Sequence, residues 1–265
     1  MWQGLDLIPH SPTLVQGETY HPDAVEHLQA LGREYEDCGG VIVVTPHMYN
    51  EDAFPVNPAD PLQEKADWEG FFGVSDVQLR RWDGLPFMAE ALQRSARRFG
   101  VPVAAKPGPI DHSIWAPLRW MFPPSTAMPL LPVGVSGLGP RSHYKMGRAI
   151  RDAVENAHKP IAVLVSSNLT HRPDLLRWDA RELPAEARVV DDAILRGLRE
   201  NDWSRFERLE PRQLRTARPE ASRNLWSMLR GLTAGLRGEL RYYGNALGAY
   251  GMALVHFEPP HQNAA

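Results

Sequence analysis

Hydrophobic positions along the chain alternate between two periods. Leu5 to Ile8 is a short apolar run. Over residues 22–37, Val25, Leu28, Leu31 and Tyr35 recur at helical spacing behind a Pro-Asp pair suited to a first turn. Gly39-Gly40 stops that helix, and Val41-Ile42-Val43-Val44 follows with the β-branched, two-sided apolar character of a fully buried strand. The exchange then repeats. Residues 87–99 predict a helix with Met88, Leu92, Ala96 and Phe99 on one face, and residues 101–104 a strand. Residues 129–135 predict a strand, residues 143–157 a helix through Met146, Ile150, Val154 and Ala157, and residues 161–165 another strand. Helices are predicted over 184–200 and 219–232, and residues 246–257 close the chain as a glycine-interrupted strand. Strand and helix in series predict an α/β fold: a single domain over residues 1–265, with a largely parallel central sheet flanked by helices. In such sheets ligands bind beyond the carboxyl ends of the strands. Residues 50–84 break the pattern. They are rich in Pro, Asp, Trp and Phe with weak periodicity, and a connection of that length predicts a lid or pocket wall.

Composition narrows the chemistry more than the fold. The 265 residues are 43% hydrophobic and 23% charged, ordinary values for a globular protein long enough to bury a sizeable core. A formal charge of −3 argues against a nucleic-acid partner or a polybasic membrane contact. No apolar run approaches the ~20 residues of a membrane span, and no signal-peptide pattern opens the chain, so a cytoplasmic location is expected. The Asn168-Leu169-Thr170 sequon then has no secretory context. A lone cysteine, Cys38, excludes a disulfide framework and a cysteine-cluster zinc site. Any metal or acid–base chemistry therefore falls to the ten histidines and the carboxylates.

Four of those histidines follow predicted strands. His10 follows the first apolar run, His47 follows Val41–Val44, His112 comes shortly after residues 101–104, and His171 follows residues 161–165 through Ser166 to Thr170. Parallel strands would bring the four imidazoles to one sheet edge. The remaining histidines read as structural: His21 and His27 near a helix start, His158 at a helix end, His256 and His261 in the tail; His143 opens a helix beside Tyr144 and reads equally as pocket or surface. Competing motifs fail. Gly134-Val135-Ser136-Gly137-Leu138 lacks the last glycine of a nucleophile elbow, and Pro140 interrupts the one dinucleotide-like glycine run. Two imidazoles and a carboxylate on one face of a metal suit non-haem Fe(II) oxygenases, and a similar set serves zinc hydrolases.

His10-Ser11-Pro12, the strand ending in His47, the block Asp111-His112-Ser113-Ile114-Trp115-Ala116-Pro117-Leu118, the stretch Ser166 to His171 and the helix start over 143–150 resemble the class III extradiol ring-cleavage dioxygenases. That superfamily includes the protocatechuate 4,5-dioxygenase catalytic subunit, the DOPA extradiol dioxygenases and the Memo proteins. The Asp-His-x-x-Trp-x-Pro-Leu block is the most specific signal. Asp67-Trp68-Glu69-Gly70-Phe71-Phe72-Gly73 is similar to the Asp-x-x-Gly-Phe stretch of DOPA-type members, with Gly73 departing from it. The resemblance implies Fe(II), with Mn(II) or Zn(II) as alternatives, held by His10 and His47. It implies His171 as acid/base and His112 as a second proton donor or oxygen-binding group. The third family ligand is a Glu, His or Cys at the start of a late helix. Pro219-Glu220 matches the DOPA-type context, yet the following residue, the ligand there, is Ala221, and counting back from Gly231 lands on Ser222. Glu220 is the strong ligand at hand and is the nominated third donor; its other reading is charge stabilisation of the first turn of its helix.

The implied function is cleavage of a small aromatic diol with dioxygen, with residues 50–84 and Trp115 shaping the ring pocket. The resemblance also admits a homo-oligomer or a small partner subunit. Two other functions remain open: a Memo-like, non-enzymatic binding or scaffold protein on the same fold, and a zinc-dependent hydrolase.

Overall fold

The computed structural model describes residues 2–67, 78–180 and 182–259. Strand β1 (Trp2–Ile8) leads through a 3-10 turn at Pro12–Gln16 and the single turn α1 (Gly17–Tyr20) into α2 (Pro22–Glu34). Next come β2 (Val41–Asn50), β3 (Phe54–Val56) and a small ribbon of β4 (Leu62–Gln63) and β5 (Arg81–Trp82). Then follow α3 (Pro86–Arg98), β6 (Val103–Ala105), α4 (His112–Met121), β7 (Leu130–Ser136), α5 (Pro140–Glu155) and β8 (Ile161–Ser166). The chain ends with α6 (Ala185–Glu200), α7 (Ser204–Glu207), α8 (Pro211–Ala217), α9 (Ser222–Thr233), β9 (Glu239–Ala246) and β10 (Tyr250–Phe257).

The main sheet among the described residues has the order β6-β3-β7-β2-β8-β1-β10-β9. Its centre, β7-β2-β8-β1, is parallel, with Val41 opposite Ala162 and Leu5 opposite Val163; β10 joins β1 antiparallel and β9 joins β10 antiparallel. Helices cover both faces, which explains strands that are apolar on both sides. Ile42 and Val44 face one core with Met88, Ile150, Ile194 and Leu229, from α3, α5, α6 and α9. Val41 and Val43 face the other with Leu28, Leu31, Ile114 and Leu118, from α2 and α4.

The departures from the expected elements have local causes. Helix α4 was not predicted, because Pro117 lies inside it. The expected closing strand over 246–257 is instead the turn and second arm of a hairpin. Leu247 and Gly248 both adopt positive φ, 52° and 67°, the reversal that suits a tight hairpin. Strand β2 runs on to Asn50, and its pairing with β7 jumps from Val44↔Val133 to Tyr49↔Val135. His47 therefore sits on a wide bulge within the strand, where a side chain can be re-aimed, and not in a loop beyond it. Part of the expected lid is framework: β3 lies between β6 and β7, and β4 pairs with β5. The Trp68–Gly73 part of the DOPA-type stretch lies outside the described residues.

Helices α5 and α9 meet at two glycines. A methyl on Gly147 would come within 2.0 Å of the Met228 carbonyl oxygen, and one on Gly231 within 2.1 Å of the Tyr144 carbonyl oxygen. Backbone meets backbone there, so neither position has a side chain that can yield. The substitution Gly147→Ala should cost about 1–3 kcal/mol, lowering the thermal midpoint by roughly 2–4 °C per kcal/mol. Calorimetry of the variant checks this, and an unchanged midpoint would show that the helices are not held at this distance.

Candidate metal centre

β1, β8 and β2 are adjacent and run in the same direction, so residues past their carboxyl ends share one edge. His10 stands two residues past β1, with 1% of its surface exposed. Its Nδ1 lies 3.0 Å from Oγ of Ser166, the last residue of β8. The Ser166 hydroxyl donates its only proton to the Ser113 carbonyl in α4, so its oxygen accepts from His10 Nδ1–H. That carbonyl is free for Ser166 because Pro117, four residues on, has no N–H to offer it. The lone pair of His10 Nε2 is thereby turned towards Glu220 Oε1, 2.9 Å away.

His47 is anchored in the same manner by a different group. Its Nδ1 lies 2.8 Å from Asp111 Oδ2, while Asp111 Oδ1 caps α4 by accepting from the Ser113 amide at 3.1 Å. The His47 Nε2 stands 3.7 Å from Glu220 Oε1. Burial disfavours charge on both partners, but the pair outweighs it, holding Asp111 well below the usual carboxylate range. In His47 burial works against protonation, yet Asp111 and Glu220 push the imidazole up to about 10.

Glu220 is buried in a turn where Arg218, Ala221 and Ser222 all adopt positive φ, 48°, 50° and 52°. Three non-glycine residues in that region store backbone strain of the kind concentrated at functional sites. One carboxylate oxygen, Oε2, accepts from the Asn168 amide at 2.7 Å and the Ser167 hydroxyl at 3.1 Å. The other, Oε1, faces the Nε2 atoms of His10 at 2.9 Å, His171 at 3.3 Å and His47 at 3.7 Å. Burial alone would raise the Glu220 carboxyl, but these imidazoles hold it well below the usual range, and burial keeps His10 itself low.

His112 opens α4, its ring 5.1 Å from that of His47 and 6.3 Å from that of His10. His171 follows β8, its amide bonded to the Ala217 carbonyl at 2.9 Å and its ring 5.2 Å from Tyr250. All five nominated residues, His10, His47, Glu220, His112 and His171, thus meet at one edge. Sequence reasoning missed the groups that orient them: Ser166 and Ser167, Asp111 as partner of His47, and Tyr250, which arrives by the unforeseen hairpin. It also missed Asn168, a residue 1% exposed whose carboxamide has no hydrogen-bond partner at either Oδ1 or Nδ2 among the described residues.

Other expectations resolve differently. Trp115 is fully buried, donates its indole N–H to the Lys65 carbonyl at 3.1 Å and packs under Arg119, which sets it in the framework of the described residues. His143 is buried and accepts from the Ser136 amide at 3.3 Å, against the Phe54 ring. His256 belongs to β10 and pairs with buried Asp6 at 2.9 Å. His261 lies outside the described residues.

The donor set fits a divalent cation. His10 Nε2 and Glu220 Oε1 are both electron-pair donors, so their 2.9 Å approach is repulsive until a proton or a metal ion lies between them. The ligand atoms of His10, His47 and Glu220 all lie within 4.8 Å of one another. Two imidazoles whose far nitrogens are fixed by oxygen acceptors, with one carboxylate, form the three-donor face used by Fe(II), Zn(II) and related ions.

A family profile described as the catalytic LigB subunit of aromatic ring-opening dioxygenase matches residues 4–254. No curated protein matches the chain. Among solved structures the chain is similar to the crystal structure of uncharacterized protein JW3007 from Escherichia coli K12, at 16% identity and a TM-score of 0.72, covering 97% of this chain and 100% of that one. At that identity the likeness speaks for the fold alone. No helix among the described residues is long and apolar enough to cross a membrane.

Metal uptake should displace a proton. Below about pH 10 metal-free His47 is protonated, and a metal must take the place of that proton. Divalent-metal binding at pH 7–8 should release about one proton from this group, and affinity should weaken about tenfold for each pH unit lost. Calorimetry in buffers of different ionisation enthalpy measures this; uptake without proton release contradicts it. Glu220→Ala should abolish stoichiometric binding.

Proposed function

Because the chain belongs to the family of catalytic LigB subunits of aromatic ring-opening dioxygenase, we propose that it is an Fe(II)-dependent extradiol dioxygenase that opens a catecholic ring with dioxygen. The observation that carries this reading is the convergence of His10 Nε2, His47 Nε2 and Glu220 Oε1 with two further imidazoles beside them. With His10, His47 and Glu220 all on one side, a metal ion held by them would be left open on its other side to a chelating diol and dioxygen together. Fe(II) held there supplies Lewis acidity towards the diol and an electron source for dioxygen.

The protein's own groups manage protons and orientation. His171 places Nε2 beside Glu220 and leaves a third of its side chain exposed. It accepts the proton of a diol hydroxyl presented at that face and passes it to solvent. His112 presents the second proton-transfer nitrogen, acting at the oxygen delivered to the ring. Tyr250, packed on His171, gives an apolar wall beside the first of these transfers. Glu220 stays ionised, because the facing imidazoles hold it low, while Asn168 and Ser167 bind its other oxygen.

The test is anaerobic loading with Fe(II), then oxygen uptake across a panel of catechols. Uptake with a yellow ring-fission product is expected, and His171→Asn should lower kcat about 10²–10⁴-fold with iron retained. Iron-replete protein that consumes no oxygen with any catechol overturns the reading. Hydrolysis restored by Zn(II) without oxygen would assign the same donors to a hydrolase, and protein that takes up no metal would favour a binding role.

A further inference from the structure

His112 owes its orientation to a residue 45 positions earlier. Asp67 Oδ2 lies 2.6 Å from His112 Nδ1, and Asp67 Oδ1 lies 3.2 Å from the His112 amide, so one carboxylate holds both the ring and the first backbone donor of α4. Neither side chain is more than 14% exposed. The placement is braced from behind. The Ile110 amide donates to the Gln63 carbonyl at 2.9 Å, the Lys65 amide to the Ile110 carbonyl at 2.8 Å, and the Trp115 indole to the Lys65 carbonyl at 3.1 Å. Between them, buried Glu64 accepts from the Trp82 indole at 2.9 Å and the Arg80 amide at 2.7 Å, and pairs with Arg119. The strap over residues 62–67 is thus tied to α4 through both its backbone and its side chains.

An ionised carboxylate only accepts, so the His112 proton must sit on Nδ1. A free imidazole prefers the other tautomer, with its proton on Nε2. Three rings at the site share this device: His10 with Ser166, His47 with Asp111, and His112 with Asp67. His171 differs, having no such oxygen on Nδ1 among the described residues. For His10 and His47 the anchored tautomer frees Nε2 as a metal donor. His112 carries the same anchor without belonging to the converging triad.

We infer that Asp67 is a positioning residue: it fixes the ring plane of His112 and holds the Nδ1–H tautomer, so that Nε2 faces the metal centre as the atom that exchanges protons with the reacting ligands. This assignment rests on the dioxygenase reading for its catalytic consequence, while the tautomer stands apart from it. Without Asp67 the ring can rotate and present N–H in place of a lone pair. Geometry, not metal affinity, is then what the substitution removes.

The experiment compares wild type with Asp67→Asn and Asp67→Ala, the first keeping the shape of the side chain. Nitrogen-15 spectra of histidine-labelled protein loaded with diamagnetic Zn(II), with the His112 signals assigned by His112→Gln, report the tautomer directly. The expected result is Nδ1 protonation in wild type and a shift towards Nε2 protonation in both variants, with the His10 and His47 signals unmoved. With Fe(II), kcat should fall about 10–100-fold, while iron affinity and catechol KM stay within about twofold. An unchanged His112 tautomer in both variants overturns the inference. So does a loss of metal affinity that parallels the loss of kcat, which would make Asp67 a structural brace. If no variant and no wild type consumes oxygen, the dioxygenase reading fails, and the nitrogen spectra still decide the role of Asp67.

Discussion

A buried carboxylate oxygen that faces the lone pair of a neutral imidazole is unfavourable unless a proton or a cation lies between them. Glu220 Oε1 faces three Nε2 atoms within 3.7 Å, and its other oxygen is already bonded. The surrounding structure maintains this arrangement. Backbone strain on both sides of Glu220, the bulge that re-aims His47 and the glycine contact that seats α9 all serve to hold donors together in a position they would not choose alone. The crowding they maintain is what a divalent ion held there would relieve.

Orientation comes from a single short helix. The first residues of α4 and the capping residue before it supply Asp111 to His47, Ser113 to Ser166 and hence to His10, and His112 itself. Pro117 is part of this arrangement. By withholding an amide it leaves the Ser113 carbonyl for the Ser166 hydroxyl, which leaves the Ser166 oxygen for His10. A residue that weakens a helix locally thereby sets the tautomer of His10, two residues past the end of β1. Fixing rings through their far nitrogens also explains why the site needs so few charged groups: each acceptor orients one imidazole.

Much of this was legible in the sequence, and the boundary of legibility is physical. Val41–Val44 and Ile161–Val165 announce themselves as two-sided buried strands, and a parallel sheet gathers the residues beyond its strand ends on one edge; that logic holds for His10 and His171, whereas His47 lies on a bulge within β2, and β6 runs opposite to the central strands, so His112 reaches the edge through the segment that follows β6. Glu220 was legible only as a type of ligand near a helix start, because its position depends on three positive-φ residues that no periodicity reveals. Helix α4 was hidden by Pro117, and the closing hairpin by a Leu-Gly turn inside an apolar run. Asp67 was visible in a recognisable stretch, but its partner 45 residues away was not, since a hydrogen bond between side chains leaves no mark on spacing. Trp115, read as pocket wall from its place near His112, is buried under Arg119 in the described structure, since an aromatic beside a candidate site belongs as readily to the framework as to the pocket.

The three converging donors come from positions 10, 47 and 220, so the centre spans almost the whole chain. A ribosome releases the two histidines long before the carboxylate, and for most of synthesis the nascent chain displays half a site. Until Glu220 emerges and α9 docks against α5, the early imidazoles alone would offer a metal only a weak foothold. An ion held by His10 and Glu220 would tie the end of the first strand to the turn before α9, positions some 210 residues apart. An ion captured there would act as a clasp upon the finished topology, and its loss would loosen the earliest and latest parts of the fold together.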